Sequence, residues 1–267
     1  MKLLKRPKKS LGQNFLIDQN IVKEIIKIEN IYNNSIILEI GAGYGSLTKK
    51  IEESKPKKIF AIEKDSNLAQ SLENDLKNFK NIKVINDDIF NIIKKKLGDD
   101  IIVFGNLPYN ISTKILAELI LIKEWPPWYK SLILMFQKEV ADRIIAKPQT
   151  KKFGRLSVLC NWRLEVRKHF DVSKNCFFPK PNVDSTILSF KPKKKYKYNI
   201  KNPKNLEIIT RILFSSRRKM INKNFKKLFG PKSSIAKNLD LNLKLRPEEL
   251  NCDMFYKIAM IYEDLLN

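Results

Sequence analysis

The sequence predicts an α/β protein: an open sheet flanked by helices, followed by a small C-terminal helical domain. Three observations predict it. Short apolar runs alternate with amphipathic, helix-length segments as far as Phe136. The first four of these runs end in a glycine loop, a glutamate, an aspartate pair and an asparagine. The carboxyl ends of the strands are where such sheets place ligands. Beyond about residue 204 the pattern is helical only.

The order of elements follows from local chemistry. Residues 1–20 form a basic arm that ends in Gly12-Gln13-Asn14-Phe15-Leu16-Ile17-Asp18. Phe15 and Leu16 can pin that arm to the core, and Asp18 can cap a helix from about Asn20 to Ile28. Ile36–Ile40 reads as a buried strand opening into Gly41-Ala42-Gly43-Tyr44-Gly45, then a helix from Ser46 to Glu52. The loop is G-x-G-x-G, so it departs from the G-x-G-x-x-G of dinucleotide sites. The next strand, Lys58–Ile62, ends in Glu63, 22 residues after Gly41. An acid there can accept from both hydroxyls of a ribose. A helix from Ser66 to Phe79 leads to a third strand, Ile82–Ile85, which ends in Asn86-Asp87-Asp88. A carboxylate at that strand end could accept from an adenine amine. Each feature also has an ordinary reading: a turn at the glycines, a solvated Glu63, a helix cap at Asp87 or Asp88. Their occurrence together, in this order, favours a ligand site.

The fourth strand carries Ile101-Ile102-Val103 and ends in Phe104-Gly105-Asn106-Leu107-Pro108-Tyr109. Pro108 removes a backbone donor and biases Leu107 away from helix, leaving carbonyls near the loop to face a ligand. Asn106 adds a side-chain acceptor and Tyr109 a flat aromatic face. Two acceptors beside a stacking platform suit a planar base with an exocyclic amine. A helix capped by Ser112 or Thr113 follows, to about Ile122, then a fifth strand, Ser131–Phe136. Helices over 137–146 and 156–162 precede two last strands, Glu165–Phe170 and Ser185–Phe190, in a hairpin arrangement. Between them Cys176-Phe177-Phe178-Pro179-Lys180-Pro181 is a rigid loop. Either its Phe residues belong to the core, or one of them covers the second face of a bound base.

Composition narrows the function. Of 267 residues, 43% are hydrophobic, and 52 Lys and Arg against 28 Asp and Glu leave a net charge of +24. That field favours polyanions: nucleic acid or an anionic surface. Abundant Lys also follows from an AT-rich genome, so the position of the charge says more than its sum. A linker spans 192–204, and residues 191–227 hold fourteen Lys or Arg against one acid, Glu207. Ser215-Ser216-Arg217-Arg218-Lys219 is its densest point, with Lys223 just beyond. The domain expectation is therefore 1–191 for the sheet and its ligand site, 192–204 as linker and 205–267 as a basic helical domain suited to a phosphate backbone, which the resemblance given below makes a catalytic domain and an RNA-binding domain. Its last helix starts near Arg246-Pro247. No apolar run is long enough to cross a membrane, and the basic N-terminus leads into no h-region. Cys160, Cys176 and Cys252 have no pairing or metal spacing, and a single histidine, His169, argues against zinc or a His triad. The expectation is a cytoplasmic protein with no metal.

Leu-Gly-Gln-Asn-Phe-Leu (11–16), Glu-Ile-Gly-Ala-Gly-Tyr-Gly (39–45), Gly-Asn-Leu-Pro-Tyr-Asn-Ile-Ser-Thr (105–113), Phe-Phe-Pro-Lys-Pro-Asn-Val-Asp-Ser (177–185) and Arg-Arg-Lys (217–219) together resemble the rRNA adenine dimethyltransferases. The resemblance runs nearly end to end. Val183-Asp184-Ser185 and the Arg-Arg-Lys segment, read as helical, resemble the small-subunit branch more than the antibiotic-resistance branch, which modifies large-subunit rRNA. The resemblance implies a Rossmann-like class I methyltransferase sheet and S-adenosylmethionine as methyl donor. Asn14, Leu16, Gly41 and Gly43 would contact the donor, Glu63 its ribose and Asp88 its adenine, while Asn106 would face both donor and target base. With Asn106, the Pro108 carbonyl would accept the amine hydrogens; Tyr109 would hold the base and Phe177 close its other face. Arg217, Arg218, Lys219 and Lys223 would bind RNA. The implied product is dimethyladenosine at two adjacent adenines near the 3′ end of small-subunit rRNA, made by a monomer. Two departures stand out: Ala42 where many members have Pro, and Ser215-Ser216 where Asn-Gln is usual. The rival readings are a large-subunit rRNA methyltransferase, a non-catalytic ribosome-assembly factor and a DNA adenine methyltransferase.

Overall fold

The computed structural model describes residues 12–231 and 233–266, so residues 1–11 of the basic arm lie outside the described residues. The chain enters through β1 (Phe15–Leu16) and α1 (Gln19–Ile26). It then alternates: β2 (Ile36–Ile40), α2 (Ser46–Glu52), β3 (Lys58–Glu63), α3 (Ser66–Leu76), β4 (Ile82–Asn86), α4 (Ile89–Lys95), β5 (Ile101–Asn106), α5 (Ser112–Ile120) and β6 (Tyr129–Gln137). After α6 (Lys138–Ile144) and α7 (Arg155–Arg163) come β7 (Leu164–Val172), β8 (Phe177–Phe178) and β9 (Ser185–Pro192). The remainder is helical: α8 (Pro203–Leu213), α9 (Asn222–Phe229), α10 (Ser233–Asn238) and α11 (Cys252–Asp264).

One seven-stranded sheet has the order β4-β3-β2-β5-β6-β9-β7. Strands β2 to β6 are parallel, and β9 runs antiparallel to β6. The parallel strands are apolar almost throughout because helices cover both faces. Strand order reverses between β2 and β5, the switch point where such sheets open a crevice at the strand carboxyl ends. Ile37, Ile59, Ile102, Phe104, Ile133 and Met135 form the core there with Val22 and Ile25 of α1 and Leu47 and Ile51 of α2. Each such side chain contributes about 1.5–3 kcal/mol on burial. That holds the strand ends in place for the polar residues they carry.

Helix starts are capped by carboxylates, at Asp18 and Asp88 as the sequence suggests and at Asp65, which it did not single out. The Asp18 carboxylate accepts from the Asn20 and Ile21 N–H groups, Asp65 from Asn67 and Asp88 from Phe90. The start of α5 differs. Ser112 lies inside the helix and its hydroxyl donates to the Tyr109 carbonyl, while Pro108 O accepts from Ile111 and Ser112. The short ladder of β1 with β8 was not anticipated: Phe15 faces Phe178 and Leu16 faces Phe177.

Contacts divide the chain into two compact units, the second formed by Leu119–Pro126, Asp142–Val166 and the chain from Pro192. This unit also takes in α7, which the sequence had assigned to the first part of the chain and which packs with α8 and α11. The reason is a cage of residues distant in sequence. Arg163 is 2% exposed, its guanidinium carbon 3.8 Å from the Trp162 ring centre, 4.8 Å from Trp125 and 5.3 Å from Tyr196. It also donates to the Ile122 carbonyl. Part of the expected linker is buried as well, at Tyr198 and Ile200. Its end is fixed by the Glu263 carboxylate, which accepts from the Lys201 and Asn202 N–H groups and the Asn205 amide. The last helix, α11, begins six residues after Arg246, capped by Asn251.

Candidate active site

At the switch point the chain leaves β2 through three glycines with positive φ: Gly41 at 74°, Gly43 at 54° and Gly45 at 78°. L side chains rarely adopt these values. A Cβ on Gly43 would also lie 3.0 Å from the Phe15 ring, so space as well as backbone conformation demands glycine there. Beneath the loop Glu39 is 1% exposed and accepts a 2.5 Å hydrogen bond from the Thr48 hydroxyl. Burial pushes its carboxyl up to about 8, so it is neutral at pH 7.

Glu63, the last residue of β3, points back at this loop. One carboxylate oxygen accepts from the Gly43 N–H at 2.9 Å and the other from the Asp65 N–H at 2.8 Å. Each oxygen keeps a further acceptor site. Burial raises the carboxyl above its ordinary value, against the pull of those two N–H groups. Asp88 caps α4 and lines the cleft, with its second oxygen 2.8 Å from the Lys64 ammonium. Gly41, Gly43, Glu63, Asp88, Asn14 and Asn106 therefore line one cleft, at the carboxyl ends of β2, β3, β4 and β5. Leu16 does not: its side chain is packed in the core, and its neighbour Phe15 lines the cleft instead.

The Asn106 amide is oriented by its own nitrogen, which donates to the Asn14 carbonyl at 2.8 Å. A carbonyl can only accept, so the amide oxygen is on the other side. Pro108 lines the cleft, but its carbonyl already accepts from the Ile111 and Ser112 N–H groups at 3.1 and 3.0 Å. Both lone pairs are engaged in starting α5, which removes it as the expected second acceptor. The carbonyl of Leu107, also on the cleft, accepts no backbone hydrogen bond from the described residues. Tyr109 is half-buried, with its hydroxyl 2.6 Å from that of Ser185. Phe177 is 3% exposed, within the hydrophobic core beside Leu16 and Val172. Strand alternation turns its neighbour outward, and Phe178 is 43% exposed.

In the helical unit Arg217, Arg218 and Lys219 occupy a turn before α9 rather than a helix. Arg217 is an internal strut: it donates to the Lys151 and Phe153 carbonyls at 2.7 and 2.6 Å and reaches Glu248 at 3.3 Å. Arg218, Lys219 and Lys223 are exposed, and Lys219 and Lys223 line a shallow groove with Ser216 and Asn224.

Sequence reasoning passed over Gln13, whose amide donates to Asp65, and Ile89, Asn110 and Ile111 of the cleft wall. Gln13 and Phe15 lie inside the Leu-Gly-Gln-Asn-Phe-Leu motif, and Ile89 directly follows the aspartate pair, so position next to a chosen residue was the available signal.

The family model for ribosomal RNA adenine dimethylase matches residues 4–264. The ribosomal RNA small subunit methyltransferase A of Pelagibacter ubique is 47% identical over 261 residues, covering 97% of this chain and 98% of that protein. The protein of the same name from Wolbachia pipientis is 37% identical, covering 97% of each. A crystal structure of a dimethyladenosine transferase from Plasmodium falciparum matches with a TM-score of 0.76 at 26% identity, over 94% of this chain and 98% of that one. The 23S rRNA methyltransferase ErmE matches at 0.65 and 19% identity, over 93% and 99%, a likeness of fold. The fold is that of the class I methyltransferases, and the chain belongs to the ribosomal RNA adenine dimethylase family.

Proposed function

We propose that this chain transfers methyl groups from S-adenosylmethionine to the 6-amino nitrogens of two adjacent adenines near the 3′ end of small-subunit rRNA, giving dimethyladenosines. It would act on the assembling small subunit in the cytoplasm. The observation that carries the reading is the orientation of Asn106. With its nitrogen held by Asn14, its oxygen is an acceptor at the cleft, beside a loop whose next carbonyl is Leu107. Family membership supplies the substrate class.

The cleft suits the donor on its own chemistry. The Gly41–Gly45 turn lets backbone approach closely, Glu63 retains acceptor capacity for ribose hydroxyls, and Asp88 retains it for an adenine amine. The donor supplies an electrophilic methyl on a sulfonium centre. The amine lone pair of adenine is delocalised into its ring, and the protein's task is to localise it. The Asn106 oxygen and the Leu107 carbonyl would each accept one amine hydrogen, turning the lone pair toward the methyl. As the new N–C bond forms, the S–C bond breaks to leave a thioether, and the amine loses one proton to solvent. Orientation at attack distance would be the main contribution. The reactive base must be unstacked, and Tyr109 would hold it, worth about 1–3 kcal/mol. Phe177 contributes from within the core rather than as an open face. Arg218, Lys219 and Lys223 would meet phosphates.

The test is transfer of labelled methyl to small subunits that lack the modification, with the product digested to nucleosides. Dimethyladenosine at two adjacent 3′-terminal adenines is expected. Label on large-subunit rRNA would move the chain to the other branch, and subunit binding without label would favour an assembly factor. In the same assay Asn106→Ala should lower transfer by about 100-fold or more with donor binding retained; normal turnover would refute the acceptor role.

A further inference from the structure

We propose that Ser185 is a positioning residue, whose hydroxyl fixes the tilt of the Tyr109 ring on which the target base lies. The inference rests on the reading of Tyr109 as that platform. Tyr109 follows Pro108 in a loop and is half-buried, so its ring can swing about two side-chain torsions. The hydroxyl oxygen lies on the axis of the second torsion, so holding its position constrains the first torsion, while the second is constrained by direction, because a phenol hydroxyl makes its hydrogen bonds close to the plane of its ring. It is held at 2.6 Å by the Ser185 hydroxyl.

Ser185 is a firm anchor. It is fully buried as the first residue of β9, in register with Gln137 at the end of β6, the strand beside β5. The residues on either side of it are tied as well. The Asp184 carbonyl accepts from the Lys138 N–H at 3.0 Å, and the Thr186 hydroxyl donates to Asp171 at 2.7 Å. Asp171 is in turn paired with the Lys138 and Lys168 ammonium groups. The anchor is thus built from the sheet and does not depend on the loop that it positions. Burial also pushes the Tyr109 phenol above its ordinary range, so the hydroxyl stays protonated and the tether persists at any ordinary assay pH.

Stacking requires a ring parallel to the base, and in-line transfer requires that base to meet the methyl at a fixed angle. A loosened ring should therefore affect turnover more than binding, because phosphate contacts carry most RNA affinity. The second methylation is the stricter step, since the amine must return rotated and bearing one methyl.

The experiment uses the full chain with Ser185→Ala, Tyr109→Phe, the double variant and Tyr109→Ala, on unmodified small subunits. Turnover is counted per donor-binding site. Ser185→Ala and Tyr109→Phe should each lower kcat by roughly tenfold, the most that one hydrogen bond ordinarily accounts for. Donor and subunit Kd should hold within about twofold. The double variant should be no worse than either single one, since both remove the same bond. The ratio of monomethyl to dimethyl product should rise, and that ratio is independent of how much enzyme is folded. If Ser185→Ala melts early, Tyr109→Phe carries the same readouts. Additive losses, or an unchanged product ratio, would overturn the tether. Normal activity in Ser185→Ala with activity abolished in Tyr109→Ala would overturn it while leaving the platform reading intact. Normal activity in Tyr109→Ala would overturn both.

Discussion

Asn106 and Glu63 show how a single polar residue is legible when it closes an apolar run. Nothing in the hydrophobic core requires either one, so the sequence marks them as candidates, and both line the cleft. Phe177 and Phe178 show the opposite case. They are adjacent and identical in chemistry, and only the pairing of β8 with β1 decides which turns inward. Glu39 is a third case, an acid buried inside a strand where Thr48 satisfies one oxygen. Its carboxyl is raised from 4.5 to about 8 by burial, so the folded protein holds a proton that the unfolded chain releases at lower pH. The folded state binds more protons between these values, and stability falls as pH rises through that window. Glu39→Gln removes the titration. In urea melts, the wild type should lose stability relative to this variant between pH 5 and 8, and a constant difference would refute the assignment. Above about 8 the two should run in parallel.

At the scale of elements, regular helices and strands followed from periodicity and caps, whereas turns and short ladders did not. The run Arg217-Arg218-Lys219 presents three like charges, yet the structure gives them different tasks. Arg217 ties the turn before α9 to the 151–153 segment and to Glu248, and its neighbours face solvent. Charge is visible in sequence; the carbonyls that consume it come from a segment more than sixty residues away. Arg217→Ala should cost about 2 kcal/mol, a melting-temperature drop of several degrees. Lys219→Gln and Lys223→Gln should leave the melt unchanged. Equal melts for all three variants would show that Arg217 is not a strut.

At the scale of the molecule, the net charge of +24 and the basic segment at 191–227 are the features on which the proposed contact with RNA rests. If Lys219 and Lys223 each meet a phosphate, replacing both with Gln should reduce the slope of log affinity against log salt by roughly 1.5. An unchanged slope would assign them to solvent. The α/β class, the polar residues at the strand ends and the helical C-terminal part were legible because each rests on local pattern, whereas the strand order was not read from sequence. The composition of the two compact units was not, because it depends on pairs such as Arg163 with Tyr196. That cage has a consequence for synthesis. A chain emerging from the ribosome presents Trp125, then Trp162 and Arg163, well before Tyr196 appears, and Glu263 arrives later still to fix the residues around 201. The helical unit therefore cannot close until Glu263 has emerged. A fragment that stops at 191 would carry α7 without Tyr196, α8 and α11, so dividing this protein for separate expression calls for a graft of interleaved segments rather than a cut.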